Sequence, residues 1–331
     1  MRDLKKDDIC ILIPTLNEEA TIGEVIEGFL KQGYHNILVI DGNSTDRTRE
    51  IAERMGARVV IQTGKGKGQA INEAFSIIDS PVVVIVDGDG TYLPEEVNVL
   101  LEPIRRGYAD HVIGNRFANF EEGAFTRLNL IGNKIINFMF RVAYGVELHD
   151  ILSGYRALTR ELYKSVRLEK PGFEVETELT VETIAKGFRI VEVPITYRKR
   201  GGKTKLNPFK DGFRIGMAIY DLLKKYSPGR YFYLIGLAMI AAGVGIGLYV
   251  VRDWFRHVTH YLLADLTALL IITGFQVIIF GTITDLLYRG NVELRREINA
   301  VSREIETLRK DLEEFKGRKV RVEVKERENR R

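Results

Sequence analysis

The sequence predicts an α/β protein with a mostly parallel sheet, followed by two helices of membrane length and a coiled-coil tail. Three observations carry this. Short apolar runs at residues 9–13, 37–40, 58–61, 82–86 and about 110–113 are bounded by turn residues, with amphipathic stretches of helical length between most of them. Such alternation means parallel strands covered by helices on both faces. Residues 231–251 form an uncharged run, and a second, from about Tyr261 to Thr284, is interrupted only by Asp265 and Gln276. Each reaches the roughly 20 residues that a bilayer-crossing helix needs. Two core helices of a soluble protein are the competing reading, but a polar nine-residue link between them argues against it. Beyond, Leu294, Ile298, Val301, Ile305, Leu308, Leu312 and Phe315 recur at alternating spacings of four and three. That is a coiled-coil seam, with Ile298, Ile305 and Leu312 at a and the other four at d.

Charge is distributed unevenly. The formal excess of +4 (49 Lys and Arg against 45 Asp and Glu) equals that of the segment from Arg289 onward, which holds 14 against 10. The balanced remainder lacks a basic face with interleaved aromatics, which argues against a nucleic-acid partner. The basic tail can contact anionic headgroups or be a solvated helix. The amino terminus is charged and has no signal-peptide core. Lys224, Lys225, Arg230, Arg289, Arg295 and Arg296 outnumber Arg252 and Arg256 in the link, so both ends are expected in the cytoplasm and the link outside. A lone cysteine, Cys10, allows no internal disulfide and fits a reducing compartment. The expected division is a catalytic domain at 1–206, an interfacial amphipathic helix at 207–230, a two-helix hairpin at 231–287 and a coiled-coil tail at 288–331.

The carboxyl ends of successive strands, where open α/β sheets bind ligands, carry the polar motifs. Asp87-Gly88-Asp89 ends the fourth run. Alternate residues of an extended segment point the same way, so the two carboxylates can converge and hold a divalent metal against a diphosphate. An acidic turn is the bland reading. A calcium loop is excluded, because its sixth position should be Gly and is Tyr92, while Thr91 is a poor fifth ligand. Pro14-Thr15-Leu16-Asn17-Glu18 follows the first run, and Asp41-Gly42-Asn43-Ser44-Thr45-Asp46 the second, either as a ligand loop or as a turn leading to a helix cap. Gly64-Lys65-Gly66-Lys67-Gly68 has the spacing of neither the Walker loop nor the dinucleotide fingerprint. It reads as a basic loop in which Lys67 can lie near a phosphate or base.

The stretch 124–148 is amphipathic, with Leu128, Ile131, Ile135, Phe138, Met139 and Val142 at helical spacing, and can pack on the sheet or touch lipid. A polar cluster, His149 to Arg156, and an acidic helix start, Gly172 to Leu179, come next. After the strand Arg189 to Tyr197, the segment Arg198 to Lys205 holds five cations in eight residues, a candidate phosphate clamp. From Pro208 to Lys225, Phe209, Phe213, Met217, Tyr220 and Leu223 form one stripe, expected to lie on a membrane surface. After Gly317, Val320, Val322 and Val324 alternate with charges, which suggests a short strand or disorder.

Ile13 to Glu18, Ile40 to Asp46, Gly66-Lys67-Gly68, Asp87-Gly88-Asp89, Gly114-Asn115-Arg116, Ser153 to Arg156 and Val193 to Tyr197, in this order, resemble the family 2 glycosyltransferases that make dolichyl- or polyprenyl-phosphate sugars. Val39 to Asp46, Asp150 to Ala157 and Leu206 to Phe209 look more narrowly like the archaeal dolichyl-phosphate hexosyltransferases that load the first sugar for protein N-glycosylation. The resemblance covers residues 9 to about 285. It implies a GT-A fold in which Pro14, Thr15, Glu18, Asp41, Lys67, Asp87 and Asp89 bind a nucleotide sugar, with Asp41 near the base and Asp87 and Asp89 at the ribose and a Mg²⁺ or Mn²⁺ ion. It places Arg116, Arg127 and Lys205 around phosphates, with Arg127, Lys205 and Ser153 toward the acceptor. Relatives using GDP-mannose often read Asp-Ala-Asp-Leu-Gln where this chain has Asp87-Gly88-Asp89-Gly90-Thr91, so a Gln-like third metal ligand is missing.

The implied reaction is inverting transfer of a hexose from UDP-glucose or a UDP-N-acetylhexosamine to dolichyl or polyprenyl phosphate, with GDP-mannose as the alternative donor and diacylglycerol as the alternative acceptor. Because an acceptor phosphate is already anionic, cations matter more than a base. Asp89, Asp150 and Arg116 are the catalytic candidates, Asp150 as a base or acceptor-orienting carboxylate with Glu176 second. A nucleotidylyltransferase would carry its Gly-rich loop after the first strand. A polysaccharide synthase would need a Gln-x-x-Arg-Trp motif, whereas the only tryptophan, Trp254, lies in the link. A non-catalytic coiled-coil scaffold is the remaining rival class. A homo-oligomer joined through the heptads is expected, with Gly243 and Gly247 adding a membrane contact.

Overall fold

The computed structural model describes residues 4–170, 172, 174–201, 208–226 and 228–328. The chain alternates strand and helix: β1 Ile9–Thr15, α1 Ile22–Lys31, β2 Ile37–Asp41, α2 Thr48–Arg54, β3 Arg58–Ile61, α3 Lys67–Ile77, β4 Val82–Ile85 and α4 Val97–Arg105. There follow β5 His111–Phe120, α5 Arg127–Tyr144, β6 Arg156–Thr159, α6 Arg160–Ser165, α7 Val175–Ala185 and β7 Ile190–Tyr197. Three helices close the chain: α8 Pro208–Tyr226, α9 Pro228–Trp254 and α10 Tyr261–Glu328.

The seven strands among the described residues form one sheet in the order β3-β2-β1-β4-β6-β5-β7. Only β6 runs antiparallel to its neighbours β4 and β5. The remaining pairs are parallel. The apolar runs of β1, β2 and β4 are strands buried on both faces, whereas β3 at the sheet edge is partly exposed. Ile26, Phe29, Ala52, Leu100 and Leu101 of α1, α2 and α4 cover one face, and Ala74, Phe75, Leu162 and Leu179 of α3, α6 and α7 the other. Each such Ile, Leu or Phe side chain contributes roughly 1.5–3 kcal/mol on burial.

A third cluster joins α5, α7 and α8 through Ile136, Phe140, Val181, Ile215, Ile219 and Leu222. Helix α5 therefore combines both readings of its pattern. It packs through Ile136, Phe140 and Ala143, while Leu128, Ile131, Ile135, Phe138, Met139 and Val142 stay exposed. Helix α8 likewise exposes Phe213, Met217 and Tyr220, but Leu223, expected on that stripe, is buried with the core.

Helices α9 and α10 are long and apolar enough to cross a membrane over Gly229–Trp254 and Tyr261–Leu294. They meet along glycines. A Cβ on Gly236 would lie 2.7 Å from the Gly274 carbonyl oxygen, and one on Gly274 2.8 Å from that of Gly236. Gly229 and Gly281 repeat the relation at 2.8 and 2.9 Å. Gly243 and Gly247, expected to face a second copy, are used inside this hairpin instead. Their Cβ positions fall 2.8 Å from Ile271 and 3.0 Å from Thr267. Nor does a strand or disorder follow Gly317: α10 runs unbroken from Tyr261 to Glu328, with no boundary at residue 288. Valines alternating with Lys, Arg and Glu lack a partner strand, and the charged residues are good helix formers.

Candidate active site

The rim at the carboxyl ends of β1, β2 and β4 is built by interlocked loops. After β1, Asn17 adopts φ 53°, its backbone N–H donates to Ser44 Oγ at 2.9 Å, and its side-chain oxygen accepts Thr45 N–H at 2.8 Å. The Glu18 N–H donates to Thr48 Oγ1 at 2.8 Å. Gly88 sits where a Cβ would lie 2.9 Å from Thr15 Cγ2, so β4 turns directly over β1. The Gly-rich loop is anchored by Glu73, which accepts from Thr63, Gly64 and Gln69. Burial works against the Glu73 charge, but these bonds outweigh it and hold the carboxyl at about 2.

Two ion-paired groups occupy the rim. Lys67, at the start of α3, reaches Asp87 Oδ1 at 2.5 Å and Glu176 Oε1 at 2.7 Å. Burial opposes the ammonium, yet the two carboxylates raise its pKa above the usual lysine range. Arg200, just past β7, reaches Glu18 Oε1 at 2.7 Å and Asp89 Oδ2 at 3.1 Å. The other Asp89 oxygen accepts Thr91 N–H and Oγ1–H at 3.2 and 2.6 Å. Asp87 and Asp89 thus lie one residue apart in sequence but turn to different cations. Four carboxylates with two cations leave a formal −2.

That charge suits one divalent ion, and the hard oxygen donors suit Mg²⁺ or Mn²⁺. Among the described residues no cluster of three or more acidic, His or Cys side chains could hold a metal alone. An ion at Asp87 and Asp89 would therefore complete its shell with diphosphate oxygens and water, as Mg²⁺ commonly does.

Several sequence-derived candidates lie beneath the rim. Asp150 is fully buried and grips Arg116 through Nε and Nη2, both at 2.7 Å, and through its backbone N–H at 2.9 Å. Burial opposes the Arg116 charge, and Asp150 restores it, holding the guanidinium well above the usual arginine value. Tyr197, Phe125 and Phe117 flank the guanidinium at 5.3, 5.6 and 5.9 Å from their centroids. Both Asp150 oxygens are thus engaged by Arg116, with no exposure of the side chain. Ser153, expected at an acceptor phosphate, is also fully buried; its carbonyl accepts Arg156 Nε at 2.7 Å. Asp41 is buried as well, with Ser44 N–H at 2.9 Å on Oδ1 and Ser44 Oγ at 2.5 Å on Oδ2; Arg49 Nε lies 3.6 Å from Oδ1.

The remaining candidates differ in exposure. Pro14 and Thr15 end β1, and the buried Thr15 Oγ1 has no hydrogen-bond partner among the described residues. Arg127 is exposed in the first turn of α5, beside the Thr126 cap on Asn129 N–H. Among the described residues no hydrogen bond or ion pair joins it to the two rim groups. Lys205 lies outside the described residues.

Sequence reasoning passed over four residues. Arg200 was one of five cations with nothing to single it out. Tyr92, used only to exclude calcium, is buried and accepts Gly154 N–H at 2.8 Å. Glu192 gathers His149 N–H at 2.8 Å and Asp150 N–H at 2.7 Å, fixing the loop that carries Asp150. Arg156, 1 % exposed, ties the Ile151 and Ser153 carbonyls, and burial pushes it down to about 10.

Comparison with known proteins agrees with this architecture. Residues 10–167 match the glycosyl transferase family 2 model. The chain is 45% identical over 296 residues to glycosyltransferase AglJ of Haloferax volcanii, across 88% of this chain and 97% of the relative. It is 39% identical over 222 residues to a dolichyl-phosphate hexose transferase of the same organism, across 66% and 95%. Among solved structures, glucosyl-3-phosphoglycerate synthase from Mycobacterium tuberculosis, in complex with Mn²⁺, UDP-glucose and phosphoglyceric acid, superposes with a TM-score of 0.55 at 25% identity. That match spans 65% of this chain and 79% of the other. The interlocked rim loops, the mostly parallel sheet and these likenesses agree: the chain belongs to glycosyl transferase family 2 and is a glycosyltransferase similar to the archaeal dolichyl-phosphate hexosyltransferases.

Proposed function

We propose that the protein transfers a hexose, with inversion, from a nucleotide sugar to the phosphate of dolichyl or polyprenyl phosphate at the cytoplasmic face of a membrane. The observation that carries this is the −2 cluster of Glu18, Asp87, Asp89 and Glu176, in a domain that continues through amphipathic α8 into two bilayer-length helices. The named activity of the relative matching 66% of the chain supports the lipid acceptor. UDP-glucose or a UDP-N-acetylhexosamine is the donor favoured, supported by the UDP-glucose complex of the structural relative. The Lys and Arg residues flanking the two long helices support an orientation with both ends in the cytoplasm.

In the reaction, an acceptor phosphate oxygen forms a bond to the anomeric carbon as the bond from that carbon to the diphosphate breaks. The nucleoside diphosphate leaves with the electron pair. Asp87 and Asp89 would hold a divalent ion, which would supply neutralisation of the leaving diphosphate. Lys67 holds Asp87 and Glu176 in place, and Asp150 holds Arg116 below the acceptor side. Because the attacking oxygen carries no proton at neutral pH, no side chain has to remove one. Arg127 and Lys205 are the cations assigned to the acceptor phosphate.

The test is calorimetry of the purified full chain with UDP and GDP in Mn²⁺. Binding of UDP with little or no binding of GDP supports the donor assignment. Preference for GDP would overturn it in favour of a mannose donor.

A further inference from the structure

We propose that the segment of α10 beyond the second span pairs with the same segment of a second copy, in a parallel, in-register, two-stranded coiled coil. The helix continues without a break past the membrane-length stretch ending at Leu294, and the residues from there to Glu328 span about 50 Å at 1.5 Å per residue. Its apolar seam is uncovered. Leu294, Ile298, Val301, Ile305 and Leu308 are 54–61 % exposed, although they recur at the four-and-three spacing of a buried seam. A helix folded back on its own catalytic domain would have covered them.

The charges flanking the seam identify the occupant and its direction. In the register with Ile298 and Ile305 at a, the sequence puts Glu304 and Asp311 at g, and Arg309 and Lys316 at e. In a parallel dimer each g residue faces the e residue five positions later on the partner. Glu304 then meets Arg309, and Asp311 meets Lys316, both of opposite sign. An antiparallel pair would set g against g and e against e, acid on acid and base on base. A second copy supplies its own complement only in the parallel arrangement. Ile at two a positions and Leu at two d positions favour two strands. Gly243 and Gly247 do not take part, since they are consumed inside each hairpin.

This inference stands apart from the catalytic reading and is tested on the full chain in detergent or nanodiscs. The only cysteine, Cys10, is buried, so Cys10→Ser gives a clean background. In it, Val301→Cys and Leu308→Cys, each alone, should form same-residue disulfides rapidly under mild oxidation, and Arg303→Cys, at f, should not. An antiparallel pair cannot bring both 301 and 308 onto themselves. Light scattering should give two chains per particle for the wild type and one for Ile305→Asp/Leu308→Asp, with donor-nucleotide binding unchanged as the check on folding. Arg309→Glu/Lys316→Glu should likewise dissociate, and should pair with a Glu304→Lys/Asp311→Lys chain when the two are mixed. One chain per particle in the wild type, equal cross-linking at 303, or a dimer surviving the double aspartate change would overturn the proposal.

Discussion

Arg200 and Asp89 are joined at 3.1 Å, so that a guanidinium stands on the carboxylate that a divalent ion would need. Arg200 also binds Glu18 at 2.7 Å, and its side chain is only a quarter exposed. Metal binding at Asp89 is therefore expected to displace a cation. Arg200→Ala should tighten Mn²⁺ binding in the absence of nucleotide, by roughly 1 kcal/mol or about fivefold. Electron paramagnetic resonance titration of free Mn²⁺ reads this directly. Unchanged affinity would mean that the ion and the guanidinium occupy separate places.

Asp150→Asn separates a prop from a base. Removing the charge beneath Arg116 leaves a buried cation uncompensated, which costs about 3–5 kcal/mol. The variant should lose thermal stability along with turnover, and Arg116→Met/Asp150→Asn should recover stability but not turnover. Full stability in Asp150→Asn, with lost activity and a shifted pH profile, would return Asp150 to a chemical role.

His111 is fully buried between Thr183 Oγ1, 2.8 Å from Nδ1, and Arg156 Nη1, 3.2 Å from Nε2. Burial, with the Arg156 charge added, holds its pKa well below the usual 6.5. Below that value the unfolded chain binds a proton that the folded chain refuses. Stability is therefore fully present above pH 6.5 and is lost as pH falls, by at most about 1.4 kcal/mol per unit. Thermal melts followed by circular dichroism from pH 7.5 to 5 should show this slope, and His111→Gln should flatten it. An equal slope in the variant would assign the acid loss to other groups.

The hairpin prediction follows from Gly236 facing the Gly274 carbonyl. Gly236→Leu must push α9 from α10 and should destabilise the full chain by about 1–3 kcal/mol or more. Gly245→Ala, where a Cβ meets nothing within 4 Å, should be neutral or stabilising. Equal melting of the two variants in detergent would show that the close contact contributes nothing.

Most strands were legible because parallel strands buried on both faces read as unbroken apolar runs. β6 was not. It is four residues long and opens on Arg156, whose charge argues against burial until the Ile151 and Ser153 carbonyls and Thr180 around it are seen. The motif carrying Asp150 and Ser153 could be read from spacing, but their burial could not. Spacing places a residue near a site without saying whether it lies on the surface or underneath. Gly243 and Gly247 misled for the same reason: a small face signals close packing and not which helix fills it. Arg200 was hidden among equivalent cations, and only the fold brings it back across the sheet to Glu18.

The most direct measurement of the account is transfer itself: purified full-length protein in detergent, Mn²⁺, radiolabelled UDP-glucose or UDP-N-acetylglucosamine, and polyprenyl phosphate, followed by lipid extraction. A labelled lipid that releases its sugar under mild acid, requires the polyprenyl phosphate, and falls by orders of magnitude in Asp89→Asn is the predicted result. A labelled lipid that resists mild acid and forms with diacylglycerol, or full turnover in Asp89→Asn, would contradict it.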